Sequence, residues 1–82
     1  MGLKKLAAKV FEYNERLESG NASEIEPGHV EKVLEKLRMK SEQLEVEIAV
    51  AKSSDKKKRL TRKLGIARTQ MERAEWLLKE IS

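Results

Sequence analysis

The chain has 82 residues, 39% of them charged, 39% hydrophobic and only 4% aromatic, which describes one small domain with a single modest core. A chain of this size buries about 60 to 65% of the surface its unfolded form exposes. That is little room for an elaborate catalytic cleft. Phe11, Tyr13 and Trp76 are too few to furnish a core, so Leu, Val, Ile, Met and Ala must supply it, and that palette is helical. The absence of Cys removes disulfide frameworks, thiolate zinc sites and thiol nucleophiles together, and fits a reducing compartment.

No segment approaches the roughly 18 uncharged apolar residues that span a bilayer. The run Met1-Gly2-Leu3-Lys4-Lys5-Leu6 begins like a signal peptide, but Lys9 and Glu12 interrupt any apolar stretch. It also begins like a myristoylation signal, yet Leu6 stands where Ser or Thr is usual. A cytoplasmic location is the default expectation.

Three helices are predicted. In the first segment Leu3, Leu6, Val10, Tyr13 and Leu17 recur at spacings of 3, 4, 3 and 4, one stripe of a helix over about residues 3–18. Ser19-Gly20-Asn21 stops it, since Gly readily takes the left-handed conformation past a helix end. Residues 19–26 carry no apolar periodicity and read as a linker. Pro27 suits the first turn of a second helix, where its missing N–H is no loss. A capping box of Ser23 with Glu26 would start that helix earlier.

From Val30 the apolar seam runs Val30, Leu34, Leu37, Ser41, Leu44, Ile48 and Ala51, with only Ser41 polar. The third segment repeats the pattern with Leu60, Leu64, Ala67, Met71, Ala74, Leu78 and Ile81. From Ala51 to Leu60 is nine residues, so at about 100° per residue an unbroken rod would carry the second stripe on its opposite side. Ser53-Ser54-Asp55, residues that favour turns and N-caps, sit at the phase break. The fold expected is all-α: an antiparallel, coiled-coil-like hairpin of two long helices, about 27–52 and 56–81, turning at about 53–55, with the shorter N-terminal helix docked on it as a three-helix bundle. Leu44, Val46, Ile48 and Val50 also alternate as a half-buried strand would. Helix formers on both sides and the lack of a second strand favour the helix, which leaves Met39, Val46 and Val50 off the seam.

The charge is unevenly spread. Residues 1 to 51 carry eight Lys or Arg against ten Glu, net −2, whereas residues 52 to 82 carry ten against four, net +6. Between Lys52 and Arg68 the basic residues Lys52, Lys56, Lys57, Lys58, Arg59, Arg62, Lys63 and Arg68 face Asp55 alone, a local net of +7. That cluster also occupies the first turns of the third helix, where the macrodipole favours acidic side chains. The bland explanation is a solvated tip, partly neutralised across the hairpin by Glu45 and Glu47. The sharper one is an anion site of Lys56, Lys57, Lys58, Arg59, Arg62, Lys63 and Arg68, with phosphate backbones as the target.

Specific nucleic-acid modules do not fit. A basic leucine zipper would not carry Leu60 and Leu64 inside its basic stretch, and helix-turn-helix units use shorter helices. Without an aromatic residue between Lys52 and Arg68, stacking on single strands has no platform. In outline, two long helices with a basic tip are similar to RNA-binding helical arms, but no motif here assigns a family.

Catalysis has little to work with. His29 is the only His, and Glu26-Pro27-Gly28-His29 is a solitary Glu-x-x-His where di-metal bundles need two such pairs and further Glu. Neither metal nor cofactor is expected. Asn21-Ala22-Ser23 matches the glycosylation triplet, which matters only in a secretory compartment. Trp76 falls roughly opposite the third helix's seam. The first helix, through Phe11 or Tyr13, is expected to cover it; otherwise it marks a partner surface with Ile66, Leu77, Val46 and Val50. The reading favoured is a non-catalytic module that binds a protein partner or a second copy of itself. The alternative is a nucleic-acid-binding accessory protein using the basic tip. A membrane-surface role through Leu3, Leu6 and Val10 beside Lys4, Lys5 and Lys9 ranks third, and no small-molecule substrate is expected.

Overall fold

A computed structural model describes residues 2–81. Three helices, α1 (Leu3–Glu18), α2 (Pro27–Val50) and α3 (Ser54–Ile81), are joined by a linker holding one 3-10 turn, Ala22–Glu24, and by a tight turn at 51–53. The fold is all-α, and α2 runs helical through the alternating stretch from Leu44 to Val50.

Local chemistry sets the ends. Gly20 has φ of 82°, and the Asn21 N–H bonds to the Arg16 carbonyl at 2.8 Å while the Gly20 N–H bonds to that of Leu17 at 3.2 Å. This is the double closure that satisfies the last carbonyls of a helix around a left-handed residue. Pro27 opens α2, with Glu26 at the N-cap position and no side-chain cap bond, so the capping box of Ser23 and Glu26 does not form. The α2–α3 turn comes earlier than expected. Ser53 caps α3, its Oγ accepting from the Lys56 N–H at 3.3 Å and its carbonyl from the Lys57 N–H at 3.1 Å. Asp55 therefore lies inside the first turn of α3, where a carboxylate complements the macrodipole.

The two long helices pack along the expected seam, and α1 lies against both. Two core clusters result. At the open end of the hairpin Leu6, Val10 and Tyr13 of α1 pack with Val30, Val33, Leu34 and Leu37 of α2 and with Ala74 and Leu77 of α3. Toward the turn Leu44, Ala51, Leu60, Leu64 and Ala67 form the second. Leu3 touches both clusters, which places the start of α1 near the middle of the hairpin. Ser41 sits in the seam between them, its Oγ donating to the Leu37 carbonyl at 2.9 Å and lying 3.2 Å from the Met71 sulfur. The linker also contributes, because Ile25 is buried in the first cluster. The product is a rod of 47 × 19 × 18 Å.

Candidate functional site

Every basic residue from Lys52 to Arg68 is exposed. Lys56 through Lys63 occupy the first turns of α3, and Lys52 the turn before it. From Lys56 to Met71 the helix carries no Asp or Glu. The run does not form one flat face. Lys56, Lys63, Gln70 and Leu77 follow one another at intervals of seven, so they share the flank whose open end is covered by α1. Arg68 stands on the other flank, where Nη2 donates to Glu45 Oε1 at 2.8 Å. On that same flank Arg38 Nη2 lies 3.9 Å from Glu75 Oε1. Among the described residues the only further contact of this kind is His29 Nε2 with Glu26 Oε2 at 3.4 Å, so within the run Arg68 alone has a carboxylate within 4.0 Å. Glu45 acts across the hairpin as expected, whereas Glu47 forms no ion pair.

The apolar residues proposed as one partner surface are separated. Val46 is two residues from Leu44 and from Ile48, and Trp76 two from Ala74 and from Leu78, so each points directly away from the seam of its own helix. Val46 and Val50, 64% and 70% exposed, thus lie on the outer side of α2 with Met39 at 64%. Trp76, 47% exposed, lies on the outer side of α3 and is not covered by α1; Phe11 is exposed and Tyr13 is committed to the core. Ile66 is also exposed on α3. Leu77 is a correction. It is 0% exposed and belongs to the core, because α3 has two neighbours at its open end and buries a wider arc there than one seam provides.

Between Glu31 and Glu42 the lysines and glutamates of α2 lie on different sides. Lys32, Lys36 and Lys40 recur at intervals of four, while Glu31, Glu35 and Glu42 lie on the other side of the helix. Where α1 docks, Lys9 joins Lys32, Lys36 and His29 around a cleft that also contains Tyr13 and Val33. Sequence reading did not single out this group, because counting charge along the chain averages each lysine with its neighbouring glutamate. The signal was the interval of four. Exposed His29 has Glu26 as its partner, and no cluster of three or more His, Cys, Asp or Glu suited to a metal occurs among the described residues. Among the described residues no helix is long and apolar enough to cross a membrane. No family model, curated protein or solved structure matches this chain.

Proposed function

We propose that the protein is a non-catalytic helical interaction module of the cytoplasm whose first partner is a second copy of itself. The observation that supports this is the outer ridge of α2. Met39, Gln43, Val46 and Val50 are spaced 4, 3 and 4 along it and stay exposed after α1 has closed the core. Fully burying a Val or Met side chain is worth about 1.5 to 3 kcal/mol. Two such ridges laid together would add a helix pair to each hairpin in the manner of a larger bundle. Light scattering over a range of concentrations tests it: native protein approaches twice its monomer mass, and Val46→Gln with Val50→Gln returns it to monomer. A clean monomer at all concentrations removes the reading.

A second reading is favoured by the unpaired run from Lys52 to Lys63. Basic side chains at a helix start, beside backbone N–H groups that point outward, suit a phosphate backbone. Changing Lys57, Arg59, Arg62 and Lys63 to Gln would abolish retention of mixed nucleic acid without loss of fold. Native protein that retains none at about 50 mM salt, where nonspecific contacts are strong, ends that reading.

A further inference from the structure

We propose that the groove between α1 and α2 seats the phosphate backbone of a nucleic acid, extending the basic end of the hairpin along the side that carries α1. This rests on the nucleic-acid reading of the hairpin tip. Lys9 of α1 and His29, Lys32 and Lys36 of α2 line a cleft of about 160 Å³, and no carboxylate lines it. Lys40, one turn beyond Lys36, continues the row. Among the described residues none of these lysines has an ion-pair partner, although the Glu26 carboxylate lies 3.4 Å from His29 of the lining.

Like charges gathered where α1 docks oppose the docking, and a bound polyanion relieves that repulsion. Lys32, Lys36 and Lys40 rise about 6 Å apart at 1.5 Å per residue, which makes an extended row suited to a repeating anion. Base stacking has no platform in the cleft, since its one aromatic residue, Tyr13, is buried. Recognition is therefore of backbone, tolerant of sequence.

Part of the tip lies on the same side of the rod as the row. Val33, Lys40 and Glu47 follow at intervals of seven on the flank of α2 that faces α1, and Lys56 and Lys63 share the corresponding flank of α3 with Leu77. Glu47 stands between the two basic groups as a carboxylate that repels the same ligand.

The test is fluorescence anisotropy with a labelled mixed-sequence duplex, titrated from about 50 to 200 mM salt, a range over which phosphate contacts lose much of their strength. Lys9→Gln with Lys32→Gln and Lys36→Gln should weaken binding at least tenfold at the low end. It should also lower the slope of log affinity against log salt by about 2 to 3, near one for each lost phosphate contact. Glu47→Gln should tighten binding severalfold and needs no lysine removed. Circular dichroism should show each variant as helical as the native chain. Native affinity and salt slope in the triple variant, with binding lost in the tip variant, overturns the groove and leaves the tip reading standing. No binding by the native chain overturns both, and an unchanged affinity in Glu47→Gln counts against a continuous track.

Discussion

Arg68 and Glu45 are joined across the hairpin by a hydrogen-bonded ion pair of 2.8 Å, and within the basic run Arg68 is the only member so neutralised among the described residues. Both side chains are more than half exposed, at 60% and 54%. Water and salt screen such a pair, so a double-mutant cycle of Arg68→Gln and Glu45→Gln followed by urea unfolding should give a coupling of about 0.2 to 1 kcal/mol. The coupling should shrink at high salt. A value above about 2 kcal/mol would mean that the pair is far less wet than its exposure indicates.

Two adjacent residues should behave oppositely. Leu77 is fully buried between α1 and the hairpin, whereas Trp76 is 47% exposed. Leu77→Ala removes core atoms and leaves a cavity, at about 2 to 5 kcal/mol. Trp76→Ala should cost less than Leu77→Ala, because Trp76 is half exposed and belongs to neither core cluster. Denaturant midpoints of the two variants decide between this arrangement and one in which Trp76 is the anchor. The emission of native Trp76 should be that of a partly solvated indole.

The contrast marks how far sequence reading reached. Heptad spacing along Val30, Leu34, Leu37, Ser41, Leu44 and Ile48 identifies a hairpin seam because two antiparallel helices bury one stripe each. It cannot foresee that Leu77 and Val33 are buried, since those two positions answer to a third helix whose docking is set by shape. Ile25 was illegible for a related reason: a single apolar residue in a linker has no period. The basic run was visible as a cluster in the chain. The cleft of Lys9, Lys32 and Lys36 was not, because it joins residues from two helices and its α2 members alternate in sequence with glutamates.

Gly20 supplies the left-handed residue that ends α1, at φ of 82°. An added methyl would stand in open space, with nothing beyond the adjoining residues within 4 Å of it. Any penalty for Gly20→Ala is therefore conformational. It should be about 1 kcal/mol, a fall of roughly 4 to 8 °C in Tm for a domain of this size. Gly20→Asn should lose less, since Asn tolerates that conformation better. An Ala variant as stable as native would mean that the end of α1 rearranges without cost.

The start of α3 offers a clean choice between two turns. Were the helix to begin after Asp55, Asp55 would be its cap and Ser53 a dispensable loop residue. In the structure Ser53 Oγ accepts the Lys56 N–H, and Asp55 is already helical. Ser53→Ala should therefore cost about 1 kcal/mol, the usual loss of an N-cap, with little dependence on salt because the bond is short-ranged. Asp55→Asn should cost about 0.3 to 1 kcal/mol through the macrodipole and the surrounding lysines, and that loss should fade as salt is raised. Ser53→Asp keeps a capping oxygen and adds a negative charge beside Lys56, Lys57 and Lys58, so it should match or exceed native stability at low salt. Urea midpoints at two salt concentrations separate the two turns: a salt-insensitive loss at Asp55 with none at Ser53 would move the cap to Asp55 and the turn back to 53–55.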